Sequence, residues 1–203
     1  LVKLLLDDRD QRSVDESSWT GLTALMWAAE DGHEATVKLL LEHGAKMNQS
    51  DKYGKTALRL AADKGQETVV KLLLEHGAEV NQRSKTGATA LIGAADQGHE
   101  GVVQLLLEHG AEVDQRNEAG RTALVWAAGK GREVTVKLLL EHDAEVNQKD
   151  EYGKTALMLA AQTGRKAVVK LLLEHSAKTS QSDEYGNTVL MWAADKGQEG
   201  VVK

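Results

Sequence analysis

Apolar and polar positions follow a helical spacing that returns every 33 residues along the chain. In segment 51–83, two stretches each place apolar side chains at i, i+3 and i+4: Leu58, Ala61 and Ala62, then Val69, Leu72 and Leu73. Thr56 is suited to capping the first stretch, and Gly65 and Gly77 are suited to ending the two. The pattern predicts helices over about 57–64 and 66–76, joined to the next unit by an extended loop with a β-turn at 51–54.

The same unit recurs in register. Thr-Ala-Leu begins at residues 23, 56, 89, 122 and 155, and Thr-Val-Leu begins at 188. One unit of this length cannot bury both apolar stripes alone, so neighbouring units must stack to complete the core. The sequence therefore predicts one all-α solenoid domain over 1–203, with full repeats at 18–50, 51–83, 84–116, 117–149 and 150–182 and partial repeats at 1–17 and 183–203. Two extra residues within 7–18 predict an irregular first connection.

The composition of the chain argues against several classes of function. The chain has a net charge of −6, which disfavours binding to a nucleic-acid backbone. It has no cysteine, which excludes disulfides, thiolate metal sites and cysteine nucleophiles. No apolar run approaches the ~20 residues that cross a bilayer, and no nucleophile or phosphate-loop motif is present. We expect an intracellular, cytoplasmic protein that is not an enzyme and needs no metal or cofactor.

The unit resembles the ankyrin repeat, through Asp-x-x-Gly-x-Thr, Ala-Ala-x-x-Gly, Val-Val-x-Leu-Leu-Leu and Gly-Ala-x-Val-Asn as they stand in 51–83. The resemblance implies helix–turn–helix–loop units with β-hairpin tips and a concave face that binds a partner, usually a protein. The chain lacks the family's Thr-Pro-Leu-His, and Asp143 and Ser176 replace a helix-ending glycine, so we expect weaker caps there. Tryptophan in the first helix, as at Trp27, resembles the arrays of filamentous-fungal NACHT-type receptors.

The candidate binding residues lie on the predicted concave side. All seven aromatic residues fall at three positions of the repeat: Trp19 at position two; Tyr53, Tyr152 and Tyr185 at position three; Trp27, Trp126 and Trp192 at position ten. Exposed tyrosine and tryptophan are favoured anchors at interfaces. Leu22 and Met26 would extend the apolar surface near Trp27, and Arg59 and Arg121 would add charge. For position ten, packing between neighbouring first helices is an equally good interpretation, which Leu60 and Leu159 at that position support.

One histidine follows the second helix of each full repeat: His43, His76, His109, His142 and His175. Successive repeats are roughly 8–10 Å apart, too far for a row of histidines to share a metal. We interpret them as caps of helix carbonyls, at the negative ends of the helices.

We therefore expect a protein-binding module with a preformed groove. One alternative is a small-ligand or nucleotide sensor, in which Trp27 or Trp126 stacks on a planar ring and Arg59 or Arg121 meets a phosphate. Another is a self-assembling or engineered array. Both ends repeat the interior apolar pattern, with Leu190, Ala193 and Ala194 at one of them, so we expect head-to-tail association or a longer array.

Overall fold

The computed structural model describes residues 14–197, which contain eleven α-helices and no β-strand. Two isolated antiparallel bridges join Ser17 to Thr23 and Ser182 to Thr188. The predicted second helices at 2–6 and 201–203, and most of the irregular connection at 7–18, lie outside the described residues. The expectation of head-to-tail association therefore stays a prediction.

Each of the five full repeats contributes a short first helix and a nine-residue second helix, as the sequence predicts, and the described part of the last repeat adds one more first helix. The first helices are α1 (Ala24–Glu30), α3 (Ala57–Asp63), α5 (Ala90–Gln97), α7 (Ala123–Lys130), α9 (Ala156–Gln162) and α11 (Val189–Asp195). The second helices are α2 (Glu34–Glu42), α4 (Glu67–Glu75), α6 (Glu100–Glu108), α8 (Glu133–Glu141) and α10 (Lys166–Glu174). A threonine caps every first helix, and its hydroxyl accepts a hydrogen bond from the backbone N–H three residues later, as Thr56 does from Arg59.

The helices form two layers around a core of leucine, valine and alanine. Each first helix packs on the next first helix, and each second helix packs on the next second helix. The first helices approach one another more closely, so the array curves with this layer on its concave side. The leucine after the cap is buried in the five full repeats: Leu25, Leu58, Leu91, Leu124 and Leu157. Its equivalent in the last repeat, Leu190, is 61% exposed.

The turns at the repeat tips are joined by a ladder of backbone hydrogen bonds. Lys85 N donates to Tyr53 O at 2.8 Å, and Glu184 N donates to Tyr152 O at 3.1 Å, with the same bond between the other neighbouring tips. Gly54 shows why glycine stands in this turn. Its φ is +78°, and a Cβ on it would lie 2.7 Å from Lys85 N, so a side chain would break the ladder. The ladder holds the tips in one rigid row.

After two of the second helices, a residue other than glycine adopts the left-handed conformation. Asp143 has φ 61° and Ser176 has φ 65°, where earlier repeats place Gly44, Gly77 and Gly110. This conformation strains a residue that carries a Cβ. The geometry agrees with the weaker caps that the sequence predicts there.

Candidate functional site

The tip row displays its aromatic side chains to solvent. Trp19 is fully exposed, and Tyr53, Tyr152 and Tyr185 are 57%, 48% and 72% exposed. The first residue of the repeat stiffens each of the three tyrosine tips, because its carboxylate accepts two backbone N–H groups of the turn. In the second full repeat, Asp51 Oδ1 accepts from Tyr53 N and Lys55 N, both at 2.8 Å. The tips therefore present these rings from a rigid backbone.

In the first full repeat, the residues that the sequence predicts to form one apolar surface differ in their exposure to solvent. Trp27 is 51% exposed, whereas Leu22 is half-buried against the core. Met26 is a correction: it is 1% exposed and belongs to the core. Met26 stands at position nine of the repeat, where the side chain packs between neighbouring repeats. Ile92, Val125 and Met158 at the same position are buried in the same way. Met26 is not available to a partner.

Both candidate arginines are occupied by contacts within the array. Arg59 Nε donates to Asp63 Oδ1 at 2.7 Å, and its Nη1 donates to Thr89 O of the next repeat at 2.6 Å. Arg121 Nε donates to Asp150 Oδ2 at 3.0 Å, and its guanidinium lies 5.2 Å from the ring centroid of Trp126. These side chains tie neighbouring repeats together. A role in holding phosphate loses support, because their charge is already compensated.

A cavity of about 710 Å³ opens on the concave side in the middle of the array. Leu60, Ala88, Gly93 and Trp126 form part of its wall. Gly93 stands at position ten, which holds tryptophan or leucine in the other repeats. The Arg59–Asp63 ion pair lies above it, so that a Cβ on residue 93 would overlap the pair. Sequence reasoning missed this cavity, although the lone glycine at position ten was its signal.

The cavity brings together Arg59 and Trp126 from the set of candidate residues. The remaining polar wall includes charged residues of both signs. Lys55, Arg59 and Lys64 supply positive charge, and Glu30, Asp63 and Asp96 supply negative charge. Asp63 accepts from both Lys55 Nζ, at 2.9 Å, and Arg59 Nε. Lys64 Nζ lies 3.5 Å from Glu30 Oε1.

Trp192 shows how a position-ten tryptophan is held. Its indole Nε1–H donates to Asp183 Oδ2 at 2.9 Å, and Lys154 Nζ lies 3.7 Å from its ring centroid. Burial opposes ionisation of Asp183, but hydrogen bonds from Asn187, Trp192 and Tyr185 together hold the pKa of that carboxyl below its usual value. The half-buried Trp126 and Trp192 thus follow the packing interpretation, whereas Trp27 is open to solvent.

The five recurrent histidines cap helices, as interpreted from the sequence. Each Nδ1 lies 2.7–2.9 Å from the carbonyl oxygen four residues earlier, at the end of its second helix. In each ring the Nδ1–H is therefore the donor. Across residues 14–197, no three histidine, aspartate or glutamate side chains converge in a way that could hold a metal ion.

Comparison with known families agrees with this architecture. The family model for ankyrin repeats (three copies) matches residues 1–84, 79–150 and 143–203. The chain belongs to the ankyrin-repeat family. Ankyrin repeats generally serve as protein–protein interaction modules. A search of curated proteins gives no match to this ankyrin array. None of the helices between residues 14 and 197 is long and apolar enough to cross a membrane.

Proposed function

We propose that this ankyrin array binds a protein partner on its concave side, without catalysis, through its tip aromatics and Trp27. The supporting observation is the rigid row of exposed rings at the tips: Trp19, Tyr53, Tyr152 and Tyr185. Because the tip backbone is already fixed, a partner that covers these rings has no loop to order and loses less conformational entropy on binding. Tyrosine and tryptophan are also among the residue types that contribute most of the binding free energy at protein interfaces.

The competing nucleotide-sensor function has weaker support. It needs free guanidinium groups near an aromatic ring, but Arg59 and Arg121 are each paired with a carboxylate. A nucleotide would have to break these ion pairs and compete with contacts that link two repeats, from Arg59 to Thr89 O and from Arg121 to Asp150. The open row of rings fits an extended protein surface better than a single small molecule.

The test is affinity capture from a cell extract, followed by chemical cross-linking and mass spectrometry of the captured partner. The altered array carries Trp19→Ala, Trp27→Ala and Tyr53→Ala. The matched control carries Val134→Ala and Leu173→Ala, which truncate exposed apolar side chains of the second-helix layer. We expect the first variant to lose the partner and the control to retain it, with cross-links only to the tip and first-helix side. Equal loss in both variants, or cross-links to the second helices, would refute the proposal.

A further inference from the structure

The array twice has lysine at position five of the repeat with its ammonium group on the residue eight positions later, and in one of the two cases the ammonium also lies over an aromatic ring. Lys154 Nζ donates to Gln162 Oε1 at 3.2 Å, eight residues later, and lies 3.7 Å from the ring centroid of Trp192 in the next repeat. Lys55 Nζ makes the same eight-residue contact, to Asp63 Oδ2 at 2.9 Å. A lysine at this position therefore brings its ammonium to one defined place in the groove.

The repeat 84–116 keeps both partners of that ammonium but not the lysine. Position five is Ala88, the residue eight positions later is Asp96, and the ring in the next repeat is Trp126. All three line the central cavity. Ala88 therefore occupies the position relative to Trp126 that Lys154 occupies relative to Trp192. The Arg121 guanidinium also lies 5.2 Å from the Trp126 ring centroid, but it is paired with Asp150 and is not among the residues that line the cavity.

Asp96 is only partly compensated. Its Oδ2 accepts from Gln97 Nε2 at 3.0 Å, but its buried Oδ1 accepts no hydrogen bond from the described residues. The nearest cation is the exposed Lys130, whose Nζ is 3.6 Å from Oδ1. Lys55, Arg59 and Lys64 also line the cavity, and each is paired with Asp63 or Glu30.

We propose that the central cavity binds a lysine side chain of the partner protein, with its ammonium against Asp96 and over the ring of Trp126. The proposal rests on the function proposed above, because that lysine belongs to the protein on the concave side. A carboxylate and an aromatic face together suit an ammonium ion, since each attracts it by a separate electrostatic interaction. Within this one molecule, Lys154 on Trp192 and Lys55 on Asp63 supply the geometric template.

The direct test is titration with n-butylammonium chloride, an analogue of the lysine side chain, at constant ionic strength. The readout is the NMR signal of each indole Nε1–H, assigned with single Trp→Phe variants. We expect a saturable shift of the Trp126 signal and none of the Trp192 signal, where Lys154 already occupies the equivalent place. The neutral isostere n-butanol should bind roughly two- to thirtyfold more weakly, the range expected for a cation–π contact.

Two substitutions exchange the behaviour of the two tryptophans. Ala88→Lys should abolish the Trp126 response, and the fold accommodates lysine there because Lys55 and Lys154 occupy the same position. Lys154→Ala should make the Trp192 signal respond to n-butylammonium. Asp96→Asn should weaken binding at Trp126 and serves as the second variant if Ala88→Lys does not fold.

The proposal fails if n-butanol and n-butylammonium shift Trp126 equally, or if folded Ala88→Lys leaves the response unchanged. Capture of the partner by Ala88→Lys separates this proposal from the general one. Undiminished capture by that variant, with loss in the triple aromatic variant, would refute the lysine site and leave the binding function standing. Loss of capture in Ala88→Lys, with the NMR exchange above, supports both.

Discussion

The indole Nε1–H of Trp192 donates a 2.9 Å hydrogen bond to Asp183 Oδ2, and the equivalent pair two repeats earlier, Trp126 and Asn117, lacks this bond. Asn117 uses its Oδ1 to accept from Ala119 N and Arg121 N in the turn. Its other terminal atom is an amide nitrogen, which donates and so cannot accept from the indole. Trp126 Nε1 is therefore buried without a hydrogen-bond partner among the described residues.

Asn117→Asp should give Trp126 the acceptor that Asp183 gives Trp192. We expect the free energy of unfolding at neutral pH to rise by about 1 kcal/mol, the net worth of one hydrogen bond that also satisfies a buried donor. Urea denaturation measures the change. The control is the same substitution combined with Trp126→Phe, which removes the donor. A gain of equal size in that background would contradict the explanation.

Asp183→Asn should leave the indole Nε1–H of Trp192 without an acceptor, as Asn117 leaves that of Trp126. Because the pKa of Asp183 is lowered in the folded state, its ionised form stabilises the fold above the ordinary pKa of an aspartate, about 3.9, and this contribution disappears as the pH falls through the lower folded value. The variant should thus be less stable than the parent at neutral pH, with the difference shrinking in acid. Glu151→Gln, which removes an exposed carboxyl at another tip, is the control for the change in net charge. A difference that does not vary with pH would contradict the assignment.

Asp114→Asn should stabilise the loop between two repeats. At this position Asn81 Nδ2 donates to Gly110 O and Asn147 Nδ2 donates to Ser176 O, at 3.2 and 3.3 Å. Asp114 accepts from Glu145 N at 3.0 Å, but its ionised carboxylate has no proton to donate in the same way. Asparagine should add one inter-repeat hydrogen bond, about 1 kcal/mol at neutral pH.

The gain from Asp114→Asn should depend on pH. Burial raises the pKa of Asp114, and the nearby Glu145 carboxylate adds to this, against an opposing hydrogen bond from the Glu145 backbone. Ionisation of Asp114 thus costs stability, and that cost is complete above its folded pKa and absent below its unfolded value. The advantage of the variant over the parent should fall as the solution is acidified through this range. Urea denaturation across a pH series tests this, and an advantage that grows in acid would show that the sign is wrong.

Leu91→Ala should destabilise the array by about 2–5 kcal/mol, as truncation of a buried leucine does. Leu91 is 1% exposed in the central repeat, between two neighbouring first helices. The matched control is Leu190→Ala at the same position of the last repeat, where the side chain is mostly exposed and the change should stay within about 0.5 kcal/mol. Chemical denaturation compares the two, and similar losses would mean that the helix faces are assigned wrongly.

The sequence alone determined the period, the positions of the helices and the buried face of each repeat. These features depend on contacts within a few residues: the threonine caps, the helical spacing of Leu58, Ala61 and Ala62, and the histidine contact to the carbonyl four residues earlier. Because the period is 33 residues throughout, every interface between neighbouring repeats is built in the same way, and the whole solenoid follows from one unit.

Only the tertiary structure decided which candidate side chains remain available to a partner. Met26 is buried by packing against the neighbouring repeat. Arg59 donates a hydrogen bond to Thr89 O, thirty residues away in sequence. The cavity near Gly93 is lined by side chains from four successive repeats, and the Arg59–Asp63 ion pair occupies the space that a side chain at residue 93 would need. Such features depend on how dissimilar residues at equivalent positions meet across repeat boundaries, and a one-dimensional repeat pattern contains no distances between them.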